Sequence, residues 1–169
     1  VSAGRLEPVP LAYIDRIKGI RGVSSVRGRL WGYYYDPVTG ANYTLLVPGD
    51  SAPGEGAVEI GRGVSRVRST FPGDALEFRT HDGKIMNLTV EKIFSAQSEL
   101  VSSDLILVSE GDFRRLFGGS PEQATDLALR VKNPRELSTI ALKIAEMLPD
   151  TRPVLREEIL RTYEAAFSW

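Results

Sequence analysis

The sequence predicts an α+β fold: a split βαβ-type sandwich made from two halves of the chain, with a small β-rich subdomain inserted between them. Three observations carry that expectation. Both ends of the chain mix helical and strand periodicities: "IKGIRGVSSVRGR" runs helix, turn, strand, and a late helix leading into "LPDTRPVLR" echoes it. The middle is mostly alternating and is set off by "PGDSAPGEG", whose Pro, Gly and Ser suit a crossing between subdomains. The composition is that of a globular chain, 42% hydrophobic and 25% charged over 169 residues, enough to bury a core in one domain or two joined subdomains. The expected organisation is a linker at 1–7, one subdomain from 8–50 and 122–169, and the insert at 51–121.

Element by element, "PLAYIDRIKGI" places Leu11, Ile14 and Ile17 on one helical face, with Pro10 suited to the first helical position and Gly19 to the stop. "SSVRGRLWGYYYD" then alternates as a strand, Val26, Leu30 and Tyr34 on one side and Arg27, Arg29, Trp31, Tyr33 and Tyr35 on the other. "DPVTGAN" is a turn by composition, and "YTLLV" returns as the antiparallel partner. In the middle, "AVEIG" leads to a short helical piece around Val64 and Val67. The hairpin "ALEFRTHDGKIMNLTVEKIF" follows, turning at Asp82-Gly83, with Leu76 and Phe78 alternating before the turn and Met86, Leu88 and Val90 after it.

"DLILVS" reads as a short buried strand, and Ser109 caps "EGDFRRLFG", with Asp112 placed as in a capping box and Gly118 as the stop. "DLALRV" is a strand. Asn133, Pro134 and Glu136 then open a helix striped by Leu137, Ile140, Ala141, Ile144 and Leu148, which Pro149 helps to end. "RPVLR" is a candidate strand, and a last helix carries Ile159, Leu160, Tyr163, Ala166 and Phe167 on one face. That helix meets Phe167, Ser168 and Trp169 with no stop signal, and the chain opens at Val1 without Met, so a fragment of a longer protein is expected.

Charge and composition exclude several functions. Lys plus Arg (21) nearly balances Asp plus Glu (22), with no long run of one sign, which argues against nucleic acid or an anionic membrane surface as the main partner. The absence of cysteine removes thiol chemistry, thiolate metal sites and disulfides. No stretch reaches the roughly 18 to 20 apolar residues of a membrane span.

Catalytic signatures are sparse. His81, the one histidine, stands beside the Asp82-Gly83 turn with no Cys or second His to share a metal, so neither a metal site nor a cofactor is expected. The glycines of "GEGAVEIGRGVSR" lack the third Gly or the Gly-Lys-Ser/Thr of a phosphate loop. Glu157 and Glu158 are neighbours on a helix and so point apart, and charge at a helix N-terminus explains them. Arg114 and Arg115 read as a solvated helix face, and the sequons at Asn42 and Asn87 as chance.

One constellation stands out. Arg27, Arg29, Trp31, Tyr33 and Tyr35 set cations and flat rings along one strand face, a pattern shared by sheets that stack bases and by faces that pack on a protein. The charge balance favours contact with a partner or another subdomain over nucleic acid. A rival from a different class is a small carboxylate-based hydrolase using Asp126 and Glu157 in a cleft.

The order of pieces, from "VEIGRGVSRVRSTFPGDALEF" through "GKIMNLTVEKIF", "LVSSDLILVSEGDFRRLFG" and "ATDLALRVKNPRELSTIALKIAEMLP" to "YEAAFSW", resembles the extracytoplasmic (periplasmic) core domain of MacB, LolC and FtsX-like ABC transporter permeases. The resemblance covers most of residues 8–169 and leaves the "RLWGYYYDPVTGANY" hairpin unmatched. It implies a domain without chemistry of its own, on the extracytoplasmic side of the cell membrane, anchored there by the parent protein. ATP would be hydrolysed by a separate ATP-binding subunit, whose motion the domain relays. A second permease copy and a periplasmic or cell-surface protein are the other implied partners. On this reading Ile159, Tyr163, Phe167 and Trp169 lie on a membrane-proximal helix whose aromatic end sits near the interface.

Overall fold

In the computed structural model the described residues are 8–49, 51–94 and 104–155. In chain order they form β1 (Val9–Pro10), α1 (Tyr13–Lys18), β2 (Val23–Tyr35), β3 (Asn42–Val47), β4 (Ala57–Gly61), α2 (Arg62–Arg68) and β5 (Ala75–Arg79). There follow β6 (Ile85–Phe94), β7 (Leu105–Leu107), α3 (Glu110–Phe117), β8 (Gln123–Ala124), β9 (Asp126–Val131), a 3-10 turn at Pro134–Glu136 and α4 (Leu137–Met147). The predicted α+β class is the one observed. Two compact units result, one taking the chain up to Gly28 and from Leu127 on, the other Arg29–Asp126.

In the unit that holds the chain ends, the first part of β2 lies beside β9. The Lys132 amide donates to the Gly22 carbonyl at 2.8 Å, and the Ser24 hydroxyl to the Arg130 carbonyl at 3.0 Å. Of the predicted helical stripe, Ile140, Ile144 and Leu148 bury against Ile17 of α1 and Val26 of β2, whereas Leu137 at the start of the helix is exposed. Tyr13 donates to Asp150 at 2.8 Å and ties the start of α1 to the turn that follows α4. That hydrogen bond, more than burial, raises the Tyr13 phenol above its ordinary pKa.

The other unit is a mixed sheet in the order β5-β6-β4-β7-β3-β2. Alternation explains its inner face: Leu76 and Phe78 of β5, Leu88 and Val90 of β6, Val58 and Ile60 of β4, Ile106 of β7 and Tyr43 and Leu45 of β3 form one core. Val64 of α2 and Phe113 and Leu116 of α3 close it. The sheet rolls far enough for its two ends to meet. Tyr34 of β2 accepts the Arg79 amide of β5 at 2.8 Å, and its ring stands edge-on to Phe78 at 5.2 Å.

Local chemistry sets the connections. At the β2–β3 turn, Asp36 accepts the Val38 amide at 3.0 Å, an Asx-type turn that brings the chain back into register with Tyr34 opposite Tyr43. The β5–β6 hairpin turns as expected at Asp82-Gly83, where Gly83 takes a positive φ of 84°. Ser109 caps α3 by accepting the Asp112 amide at 3.2 Å. The reciprocal half of a capping box is absent, because the Asp112 carboxylate turns to the Gly56 amide at 2.8 Å and to Arg115 at 3.0 Å.

Several expectations need correction. Pro10 ends β1 and does not open α1, which starts at Tyr13 behind Ala12. Residues 152–155 of "RPVLR" form no strand; Pro153 lacks the amide that a ladder needs. The units part at Gly28 and Asp126, whereas the sequence reading divided the chain at 50 and 121. Tyr43 and Leu45 of the first hairpin are core residues of the central unit, which takes in β3 and the part of β2 paired to it, Leu30 to Tyr35. The helix of Ile159, Tyr163, Phe167 and Trp169 lies outside the described residues, as does Glu157.

Candidate functional site

The stripe on β2 occupies the outer face of the central sheet, as the alternation predicts. Leu30, Gly32 and Tyr34 point inward, opposite Val47, Leu45 and Tyr43; Trp31, Tyr33 and Tyr35 point outward, opposite Leu46, Thr44 and Asn42. The outward row continues over the half-buried Leu46 and Leu107 to Glu59, whose carboxylate meets Lys92 at 3.1 Å. Tyr33 and Tyr35 are the open part of this face, 68% and 59% exposed. Isolated exposed tyrosines are ordinary, but two in succession beside a tryptophan form an amphipathic surface suited to a protein contact.

Trp31 and Arg29 are not free. The guanidinium of Arg29 makes a bidentate pair with Asp126, both bonds at 2.6 Å, and the Trp31 indole donates to the same carboxylate at 3.1 Å. The Asp126 hydrogen bond, working against partial burial, raises the Arg29 pKa above its ordinary value. Thr125 completes the clamp: its hydroxyl accepts the Trp31 amide at 3.0 Å and donates to the Trp31 carbonyl at 2.9 Å. Its own amide donates to the Arg29 carbonyl at 2.8 Å. Trp31 thereby gains one orientation, and Tyr33 rests edge-on against it at 5.6 Å. Of the predicted five, Arg29, Trp31 and Tyr33 make one connected cluster, and Tyr35 shares their face. Arg27 is exposed on the part of β2 that belongs to the other unit.

The same geometry bears on the hydrolase rival. Three of the roughly four lone-pair positions of the Asp126 carboxylate are taken, two by Arg29 and one by the Trp31 indole, which gives this side chain a structural task. Among the described residues no group of three His, Cys, Asp or Glu side chains could hold a metal ion. Arg114 donates to the Ser120 and Gln123 carbonyls at 2.7 and 3.2 Å, and Arg115 pairs with Asp112 and Glu55. Arg114 thus braces a loop, where a solvated helix face was expected; Arg115 stays exposed on that face. His81 is exposed as expected, yet its ring lies against Gly118, within about 3.0 Å of where a Cβ would sit.

No protein family recognised by sequence matches the chain, and no curated protein matches it either. Its fold, however, is known. A solved structure described as the extracellular domain of the noncanonic ABC-type transporter YknZ from Gram-positive bacteria superposes with a TM-score of 0.52. Identity is 12%, and the match covers 88% of this chain and 86% of that one. This chain has the fold of an ABC transporter extracellular domain. The expectation drawn from the order of sequence pieces therefore holds at the level of architecture. No helix among the described residues is long and apolar enough to cross a membrane.

Sequence reasoning named Asp126 for a different role and missed Thr125 altogether. The available signal was a Thr-Asp pair at the mouth of an apolar strand, which can clamp a neighbouring strand bearing an arginine and an indole. Asp36, 2% exposed and bound to Arg68 at 2.5 Å, was also missed. Its signal was the Asp-Pro turn.

Proposed function

We propose that this chain is the extracytoplasmic domain of an ABC transporter permease subunit, held at the cell membrane by its parent protein. It relays ATP-driven conformational change to a partner or substrate on the far side. The observation that carries this reading is the likeness, over 88% of the chain, to a domain described as extracellular and belonging to an ABC-type transporter. Two connected units whose described residues gather no group of three metal-ligating side chains suit a mechanical part better than a metal-dependent enzyme.

In this reading the membrane-proximal part is built from 8–50 and 122–169, with Ile159, Tyr163, Phe167 and Trp169 leading toward the bilayer; the described residues of the compact unit up to Gly28 and from Leu127 on lie within it. The contact face is the outer side of β2, where Tyr33 and Tyr35 present the rings and Trp31, with Arg27 and Arg29, flanks them. An ATP-binding subunit in the cytoplasm, a second permease copy and a periplasmic or cell-surface protein are the partners such a part requires.

The test is localisation followed by coupling. The parent protein should sediment with membranes, and a protease added outside spheroplasts should cut this domain. Replacing Tyr33 and Tyr35 together by Ser should leave the fold and the basal ATPase rate intact while uncoupling transport. A parent that stays in the soluble fraction, or a domain protected from external protease, would refute the proposal.

A further inference from the structure

In the central unit β5 is the end strand of the sheet, and the ladder shows which of its backbone groups face outward. Val90 donates to the Asp74 carbonyl and Thr80 to the Lys84 carbonyl, both at 2.8 Å, so the even-numbered residues of β5 bond to β6. The odd-numbered ones, Ala75, Glu77 and Arg79, turn their amides and carbonyls to the open side. Such an edge is a template for another strand. Two of its groups are already occupied, and by side chains. The Arg79 amide donates to the Tyr34 hydroxyl at 2.8 Å, and the Glu77 carbonyl accepts from Arg68 at 3.4 Å. Arg68 is itself held by the buried carboxylate of Asp36 at 2.5 Å.

We infer that Tyr34 and Arg68 form a clasp that closes the rolled sheet and masks the β5 edge against pairing with a second copy of this chain. The occupant follows from charge. An antiparallel copy centred on Phe78 sets Glu77 opposite Arg79 twice, using the outward-facing residues that a new ladder requires. A register one pair over sets Glu77 against Glu77 and is disfavoured. The closure consists of one neutral hydrogen bond, one ring contact and one longer charged bond. It is therefore the part of the sheet held most weakly, since every other strand junction in this unit is a backbone ladder.

The experiment uses the 169-residue chain and two variants. Tyr34→Phe keeps the ring on Phe78 and removes only the hydroxyl. Amide hydrogen exchange at Arg79 should quicken by about fivefold, the effect of one lost hydrogen bond, while the Leu76 and Phe78 amides, which face β6, keep their rates. The second variant, Tyr34→Phe with Asp36→Asn and Arg68→Met, removes both hydrogen bonds of the clasp without stranding the buried carboxylate. Sedimentation should show a concentration-dependent dimer, and adding Arg79→Glu should return it to monomer. Unchanged exchange at Arg79 in Tyr34→Phe overturns the clasp even if the second variant fails to fold. A folded second variant that stays monomeric, or one that associates regardless of Arg79→Glu, overturns the masked edge.

Discussion

Replacing Gly32 by Ala tests how β2 is seated. Gly32 lies in the strand between Trp31 and Tyr33 but points the other way, opposite Leu45 and toward the core. A Cβ placed there would stand 3.0 Å from Cε1 and 3.1 Å from Cζ of Phe117, well inside ordinary contact. Phe117 cannot yield freely, because its ring is stacked on Phe113 at 4.6 Å with a tilt of 35°, and Phe113 is buried. The backbone at Gly32 is not in the left-handed region, so Ala costs nothing in φ and gains about 0.4 to 1 kcal/mol by restricting the unfolded chain. Against that stands roughly 1 to 3 kcal/mol for overpacking. The net expectation is a loss of about 1 to 2 kcal/mol, which for a chain of this size lowers the melting temperature by roughly 2 to 8 °C.

Urea unfolding followed by far-ultraviolet circular dichroism measures the loss. A double-mutant cycle assigns its cause: Phe117→Leu shortens the obstructing ring, so Gly32→Ala should cost at least about 0.5 kcal/mol less in that background. A Gly32→Ala variant as stable as the parent, or one whose cost is unaffected by Phe117→Leu, would refute the argument that the ring sits on the strand.

Other expectations follow from the same structure. Asp126→Asn keeps one acceptor oxygen but loses the charge and the bidentate grip on Arg29; because the pair is partly exposed, the expected loss is about 0.5 to 1.5 kcal/mol, and a cycle with Arg29→Met should give a coupling of about 1 kcal/mol. Gly118→Ala meets both a φ of 73° and the His81 ring, and should lose at least about 1 to 2 kcal/mol by denaturant titration, of which His81→Ala recovers only the steric part. Burial alone would push Asp36 up, but the Thr39 hydroxyl, the Arg68 guanidinium and the Val38 amide hold it below its ordinary 3.8. A carboxylate depressed in the folded state contributes stability above its unfolded pKa and loses it as pH falls through the folded one. Stability should therefore drop below about pH 4, and Asp36→Asn should flatten that slope in unfolding titrations.

Strand alternation made most of the central sheet readable. The two sides of β2 were assigned correctly from Arg27 to Tyr35 because a half-buried strand separates its faces by residue parity. Helix α3 was readable from Ser109 and Gly118, since caps are local chemistry. What escaped were choices between distant partners. Asp126 binds residues 95 and 97 positions away, and nothing in its neighbourhood distinguishes an arginine clamp from a catalytic carboxylate. The contact of Tyr34 with β5 depends on how far the sheet rolls, a property summed over all the strand junctions of the unit. Pro10 was misplaced because the same fixed φ suits a helix start and the end of an extended segment.

Gly56 is held at both ends, its amide by Asp112 at 2.8 Å and its carbonyl by the Thr89 amide at 2.8 Å. Everything downstream enters β4 in a set register, while Ser51, Ala52, Gly54 and Glu55 just before it are exposed. Pro53 between them is buried, Glu55 pairs with Arg115 at 3.6 Å and the Gly54 carbonyl accepts the Ala57 amide at 3.1 Å, so the anchored part begins at Pro53 and only Ser51 and Ala52 stand clear of it. A fluorescent reporter or affinity tag inserted between Ser51 and Ala52 should leave Pro53 and the Gly56 anchor in place, which makes this point the natural handle for following the domain at work.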